Sequence, residues 1–373
     1  MQSPDRPLRV VISGGGTGGH IFPAIAIANA IRSLRPDTEF LFVGAEGRME
    51  MEKVPAAGYD IVGLPIAGIK RELSAENLRF PFKLVRSLMK AGSVVRKFNP
   101  DVAVGVGGYA SGPMLYMASR RGVPTLIQEQ NSYPGITNRL LSRKASAIFV
   151  AYPGMERFFP ADRIVFTGNP VRKELLGTAV LRGEASRFFG LDPSLPTLLV
   201  VGGSQGARSI NKALRDGIEA LHTAGVQLIW QTGKPFLQDA RNAVASLGKK
   251  AWVDAFITRM DLAYAMSDVV IGRAGASTVS ELCIVRKPAI LVPLPTAAED
   301  HQTKNCKALV DQGAAILVQD AQASSQLVHD ALNLISDPER CRSLSEKMGS
   351  LARPQAAEEI AQHVIRIATS NEL

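Results

Sequence analysis

The chain has 373 residues, 46% hydrophobic, 21% charged and 6% aromatic, a length that points to two domains and a composition that excludes a disordered or fibrous chain. No apolar run reaches the roughly 18–20 residues of a membrane span, residues 1–6 lack the apolar stretch of a secretion signal, and three widely spaced cysteines without a Cys-x-x-Cys pair argue against a zinc ribbon or disulfide framework, so a cytosolic chain with reduced thiols is expected. Net charge is +9 and lopsided, with 21 Lys and Arg against 13 Asp and Glu in residues 1–166 and 22 against 21 beyond, a basic first half that nucleic acid, a membrane surface or an anionic substrate would each explain.

In chain order, residues 8–13 read as a buried strand that runs straight into Gly14-Gly15-Gly16-Thr17-Gly18-Gly19-His20. An Ala- and Ile-rich stretch, 23–34, then has the apolar spacing of a helix with proline in its first turn. Further strands are expected near 40–43, 102–106, 125–128 and 147–150. Residues 64–97 carry eight basic residues against two acidic ones, with apolar residues between them. Within this stretch Leu78, Arg79, Phe80, Phe82, Lys83, Val85, Arg86 and Lys90 form an apolar patch rimmed by cations, suited to an anionic bilayer surface. A core helix with a solvated basic face would read the same way.

The turn Thr167-Gly168-Asn169-Pro170 marks the expected boundary. Past it, the strand 197–201 leads into Gly202-Gly203-Ser204-Gln205-Gly206-Ala207 and a helical pattern, repeating the opening of the chain. Strands near 227–231, 269–271, 289–292 and 315–318 alternate with helix-length segments, as parallel sheets require. The reading is therefore α/β: two doubly wound Rossmann-like domains, residues 1–166 and 167–353, with a terminal helix at 354–373 that packs back on the first.

Glycines at 14, 16 and 19 match the dinucleotide fingerprint, which alone is a weak signal. A nicotinamide cofactor would call for an acid at the end of the second strand, where Gly44 stands, and no Lys-Ser/Thr follows Gly19, which excludes a P-loop. What such loops do offer is backbone N–H groups and a helix N-terminus for an anion. His20 stands where the first helix begins, and a positive helix end disfavours imidazolium, so a neutral His20 is placed to accept a proton. Packing or capping of the loop is the plainer role for it. In the second half, Arg273-Ala274-Gly275-Ala276-Ser277-Thr278-Val279-Ser280-Glu281 follows a strand and starts a helix whose acid has the reach for two sugar hydroxyls. Glu281 would equally serve as the acid of an ordinary helix start. A polar loop, Glu299-Asp300-His301-Gln302, follows the strand near 289–292.

Together these motifs resemble the MurG family of UDP-N-acetylglucosamine–N-acetylmuramyl-(pentapeptide) pyrophosphoryl-undecaprenol N-acetylglucosaminyltransferases. The resemblance rests on residues 15–23, Gly107-Gly108-Tyr109-Ala110-Ser111-Gly112-Pro113, Glu129-Gln130-Asn131, Thr167-Gly168-Asn169-Pro170-Val171-Arg172, residues 202–207, residues 273–281 and Asp300-His301-Gln302, in family order over nearly the whole chain. It implies the GT-B architecture, two such domains facing across a cleft. It also implies inverting transfer of GlcNAc from UDP-GlcNAc to the MurNAc 4-hydroxyl of lipid I, giving lipid II for peptidoglycan. By the same resemblance Glu281 holds the ribose, Ser204 and Gln205 the pyrophosphate with Arg172 near it, and Ile257 the uracil. Ala276, Ser277, Thr278, Val279 and Ser280 wrap nucleotide and sugar, Gln302 holds the GlcNAc hydroxyls, and Thr17, Gly18, Gly19 and Asn131 close on donor or acceptor.

Inverting transfer needs a base for the acceptor hydroxyl. His20 is the first candidate and Glu129 the second, with Tyr109 orienting the acceptor. No Asp-x-Asp occurs in the chain, so metal-independent catalysis without a cofactor is expected. Implied partners are UDP-GlcNAc, lipid I, an anionic membrane surface at the cytoplasmic face of the bacterial inner membrane, and proteins of cell-wall synthesis and division. Nucleic acid is disfavoured, since no basic–aromatic recognition module is present. The rival reading is another UDP-sugar enzyme of this fold, an epimerase or a small-molecule glycosyltransferase. Arg286 departs from the family, which often has glycine at that helix end, so a different local turn is expected there.

Overall fold

Val10, Val11 and Ile12 are fully buried on both faces of their strand, which is why β1 (Arg9–Ser13) lies inside a sheet rather than at its rim. The computed structural model describes residues 6–66, 80–203 and 206–370. Six more strands follow in the first half: β2 (Glu39–Ala45), β3 (Ile61–Leu64), β4 (Val102–Gly105), β5 (Thr125–Glu129), β6 (Ala147–Val150) and β7 (Ile164–Phe166). They form one parallel sheet in the order β3-β2-β1-β4-β5-β6-β7. Val11 pairs with Leu41 on one side and Ala103 on the other. The strand order reverses between β1 and β4, the place where doubly wound sheets bind ligands beyond the strand ends.

The second half repeats the design with β8 (Thr197–Val201), β9 (Gln227–Gln231), β10 (Ala251–Asp254), β11 (Val269–Gly272), β12 (Ala289–Leu291) and β13 (Ile316–Leu317). Their order is β10-β9-β8-β11-β12-β13, all parallel, with the reversal between β8 and β11. Helices cover both faces, each with its own apolar core. Three strands, β3, β7 and β10, have no counterpart in the sequence reading. Each is an edge strand of three or four residues, half-exposed over much of its length, so none leaves the long apolar run of a central strand.

The chain divides into two compact units, Met1–Arg172 with Pro354–Leu373, and Lys173–Arg353. The division thus falls after Arg172 rather than after residue 166. Thr167 and Gly168 still donate backbone hydrogen bonds to the Val150 carbonyl, and the buried Asn169 side chain lies between Gln128 and Gln130. That turn therefore closes the first unit. The last helix, Ala356–Ser370, buries Ile360, Ala361, Val364 and Ala368 on one face against Gly18–Leu34 and the first core. Ile360 and Val364 alone contribute about 1.5–3 kcal/mol each by burial.

Candidate functional site

At the β1/β4 reversal, two glycine turns touch through their backbones. Gly15, Gly16, Gly107 and Gly108 all have positive φ, and a Cβ on Gly108 would stand 2.5 Å from the Gly15 carbonyl oxygen. Only glycine permits that approach. The Ser111 hydroxyl lies 2.7 Å from the Ser13 carbonyl and 2.9 Å from that of Gly107, tying the turns together. Helix Gly18–Leu34 begins after Thr17, which is exposed and makes no side-chain cap, and its first turn holds no acid. The first turn, with Gly18 and Gly19, is thus left with its positive end for an anion.

His20 sits in that first turn. Its Nδ1 is 2.9 Å from the Gly15 carbonyl oxygen; a carbonyl only accepts, so Nδ1 carries a proton in this contact. Gly107 makes room for the ring, because a Cβ there would meet Cδ2 and Nε2 at 2.9 Å.

Glu50, which the sequence reading passes over, lies beneath the same loop. It is 1% exposed and accepts from the Gly16 amide at 2.8 Å and the Ala45 amide at 2.9 Å. Glycine at 15 and at 44 leaves space for it, since a Cβ on either would fall within 2.5 Å of its side chain. Its only sequence signal is an acid a few residues beyond β2. Glu46, nearer the strand end, instead pairs with Lys90 at the surface.

Glu129, at the end of β5, is buried and accepts four hydrogen bonds from its own loop. These come from the Asn131 backbone at 3.0 Å, the Asn131 side chain at 3.3 Å, the Gly135 backbone at 3.2 Å and the Asn138 side chain at 2.8 Å. Burial pushes its pKa above the ordinary carboxylate range, and these four bonds pull the other way. With both oxygens committed to the loop, Glu129 holds Asn131 in place; this geometry argues against it as the base. Beside it Gln128, Gln130 and Asn169 form a buried hydrogen-bonded chain to the Val106 carbonyl. The family motifs at 107, 129 and 167 therefore converge on one end of one sheet. Tyr109 is half-exposed next to the second glycine turn, and the Arg172 guanidinium lies 5.2 Å from the centroid of the Phe22 ring, on the first helix.

In the second unit, the loop after β8 also needs glycine: Gly203 and Gly206 have φ of +76° and +78°, and a Cβ on Gly206 would stand 2.4 Å from the Thr232 carbonyl. Ser204 and Gln205 lie outside the described residues. After β11, Arg273 is a structural pin, donating to the Val292 and Pro293 carbonyls, Asp320 and Ser209. Helix Ala276–Val285 then starts without a side-chain cap or an acid in its first turn. The Ser277 hydroxyl there is buried and has no partner among the described residues, whereas the Ser280 hydroxyl donates to the Ala276 carbonyl. Thr278 is half-buried in the same turn. Glu281 is 8% exposed and accepts from the Tyr264 hydroxyl at 3.1 Å.

Ile257, Ala276 and Val279 are buried, so what Ile257 and Val279 offer a ligand is mainly backbone. Gln302 accepts from the Leu294 amide at 3.0 Å, anchoring the start of helix His301–Val310 to the loop after β12. Just before that helix, Glu299 and Asp300 both take left-handed φ, 55° and 56°. Such strain in non-glycine residues collects at ligand loops. Arg286 also adopts the left-handed conformation a glycine would, at φ 53°. The turn is thus kept, not altered, and the arginine chain lies over Gly349.

On the first unit, helix Phe80–Phe98 leaves Phe82 75%, Val85 56% and Met89 72% exposed. Spaced three and four residues apart, they share a face. Lys83, Arg86 and Lys90 are exposed around them and Phe80 is half-buried; Leu78 and Arg79 lie outside the described residues. Helix Ser111–Arg120, which packs on helix Phe80–Phe98, and helix Ile136–Leu141, which packs on Ser111–Arg120, carry exposed Tyr116, Ile136 and Leu140, which the sequence reading misses because they stand far from residues 64–97.

Among the described residues no helix is long and apolar enough to cross a membrane, and no cluster of three His, Cys, Asp or Glu side chains is placed to hold a metal ion. Residues 10–150 match the model of the glycosyltransferase family 28 N-terminal domain, and residues 197–364 that of its C-terminal domain. A UDP-N-acetylglucosamine–N-acetylmuramyl-(pentapeptide) pyrophosphoryl-undecaprenol N-acetylglucosamine transferase of Parabacteroides distasonis is 54% identical over 97% of this chain and 99% of its own length. One of the same name from Bacteroides fragilis is 56% identical over 97% and 96%. The crystal structure of Acinetobacter baumannii MurG superposes with a TM-score of 0.76 at 28% identity, covering 96% of this chain and all of that one. A Neisseria meningitidis UDP-GlcNAc 2-epimerase bound to UDP-GlcNAc reaches 0.68 over 96% of this chain and all of its own, at 14% identity, a likeness of fold alone.

Proposed function

The chain belongs to glycosyltransferase family 28 and, within it, to the MurG transferases, and from that premise we propose that it moves GlcNAc from UDP-GlcNAc to the MurNAc 4-hydroxyl of lipid I, making lipid II. The observation that carries this reading is identity of 54–56% with transferases of that name over 96–99% of their length. An epimerase or a small-molecule glycosyltransferase shares the fold without that identity.

The second unit takes the donor. Glu281 accepts from the ribose hydroxyls and the Ile257 backbone meets the uracil. The helix start at Ala276, Ser277, Thr278, Val279 and Ser280, with the loop holding Ser204 and Gln205, faces the diphosphate, and Gln302 holds the GlcNAc hydroxyls. The buried Ser277 hydroxyl supports this, because a phosphate oxygen supplies the acceptor it lacks. The first unit takes the acceptor, through Thr17, Gly18, Gly19, Tyr109 and Asn131.

His20 Nε2 removes the proton from the 4-hydroxyl, the oxygen attacks the anomeric carbon, and the bond from that carbon to the UDP oxygen breaks. The proton stays on His20 until solvent takes it. Charge growing on the leaving diphosphate is met by helix N-termini and by Arg172, fixed donors that need no reorganisation. A single displacement inverts the anomeric centre. Analysis of the disaccharide product is therefore expected to show the linkage opposite to that of the donor, and a retained configuration would overturn the displacement.

Lipid I keeps its tail in a bilayer, and the exposed Phe82, Val85 and Met89 ringed by Lys83, Arg86 and Lys90 suit docking on an anionic leaflet. On this reading the enzyme works peripherally at the cytoplasmic face of the plasma membrane, with proteins of cell-wall synthesis and division as candidate neighbours.

A further inference from the structure

The Gly15–Gly16 peptide group has a different partner at each end. Its carbonyl oxygen accepts from His20 Nδ1 at 2.9 Å, and its N–H donates to Glu50 Oε2 at 2.8 Å. We propose that Glu50 is a positioning residue for the transfer, acting on His20 through this single peptide group. The proposal rests on the reading of His20 as the base.

A buried carboxylate that accepts a peptide N–H draws electron density toward the carbonyl end of the same amide, making that oxygen a stronger acceptor. The stronger acceptor fixes His20 in the Nδ1–H tautomer, leaves Nε2 as the basic nitrogen, and stabilises the imidazolium that forms as the 4-hydroxyl loses its proton. No proton passes through the peptide. The arrangement is that of a carboxylate–histidine pair with an amide placed between the two groups.

Three features go beyond what a plain loop clamp needs. The carboxylate is 1% exposed and takes two backbone donors, at Gly16 and Ala45, with no cation within salt-bridge distance among the described residues. Gly15 has φ +154°, and any Cβ there would strike the carboxylate at about 2.1 Å, so the peptide and the acid are fitted to each other. Gly107 in turn is cut away beneath Cδ2 and Nε2 of the His20 ring. Glu50 answers the charge that appears on His20 during transfer.

The test compares wild type, Glu50→Gln, His20→Ala and the double variant, each checked for folding by circular dichroism. Glutamine keeps the shape but satisfies only one of the two amides and carries no charge. Expected for Glu50→Gln is a kcat lower by roughly 10–100-fold, KM for UDP-GlcNAc and for a short-chain lipid I analogue nearly unchanged, and the ascending limb of the pH profile moved to lower pH. In the His20→Ala background the same substitution is expected to cost nothing further. Equal losses in both backgrounds with an unmoved limb, while His20→Ala alone is slow, would reduce Glu50 to a loop clamp and leave His20 as the base. Near-normal kcat and an unchanged profile in His20→Ala would instead remove the base, and the relay with it. Nitrogen-15 NMR of the wild-type imidazole serves if Glu50→Gln does not fold: the Nδ1–H tautomer supports the relay, and the Nε2–H tautomer overturns it.

Discussion

Replacing Glu129 by glutamine takes away one of two oxygens that together accept four hydrogen bonds from residues 131–138. The incoming amide group meets N–H groups where it needs acceptors, so a loss of about 1–3 kcal/mol in stability is expected by chemical denaturation. In steady-state kinetics the acceptor KM is expected to rise more than kcat falls, because Asn131 loses its support. A kcat collapse at constant KM would return Glu129 to the role of base. At this scale the sequence shows what is local. His20 is legible because the glycines before it announce a loop and the apolar stretch after it a helix, and Glu281 because serines and alanines precede it. Glu50 is not, because its meaning comes from an amide 34 positions away and from two glycines that make room for it.

At the level of elements, the helix ending at Arg286 and the helix Pro338–Ser350 are fitted to each other. Left-handed backbone costs an ordinary residue about 1 kcal/mol, and here the Ser345 hydroxyl donates to the Arg286 carbonyl at 2.7 Å while the side chain fills the space above Gly349. Gly349→Leu is therefore expected to destabilise the parent by about 1 kcal/mol through overpacking. In an Arg286→Gly background it is expected to be neutral or stabilising, as leucine is the better helix former. Equal effects in both backgrounds, measured by thermal unfolding, would dissolve the pairing.

The face of helix Phe80–Phe98 makes a second prediction at this scale. Phe82→Ser with Met89→Ser is expected to weaken binding to anionic vesicles by about tenfold or more, and added salt to weaken the parent's binding further. Transfer to a soluble acceptor analogue is expected to stay the same. Unchanged vesicle binding would assign that face another purpose. Central strands such as β1 and β8 are legible as unbroken apolar runs, since both of their faces are covered. The edge strands β3, β7 and β10 are not, because an apolar stretch of three or four residues is too short for length or period to mark it as a strand.

Over the whole molecule, the repeated strand, glycine loop and helix announces two doubly wound sheets, and each sheet puts its glycine loops at the reversal of strand order. The domain boundary is less legible. The turn at 167–170 has the composition of a linker, yet its hydrogen bonds belong to the first sheet, and only the fold shows them. The charge asymmetry read from residues 1–166 acquires a location on the helix that carries Lys83, Arg86 and Lys90 beside exposed apolar groups. In the second unit, the helices after β8 and β11 both start without a side-chain cap, which suits them to the charge stabilisation proposed for the leaving diphosphate.

The most direct measurement is transfer of radiolabelled GlcNAc from UDP-GlcNAc to a short-chain lipid I analogue in the presence of EDTA, with UDP-GalNAc and a lipid-free MurNAc-peptide as controls. Label is expected on the lipid analogue from UDP-GlcNAc alone, at a rate that added magnesium leaves unchanged. No label on the lipid analogue while UDP-GlcNAc still binds would contradict the acceptor, and activity that EDTA abolishes and magnesium restores would contradict the metal-free stabilisation of the leaving group.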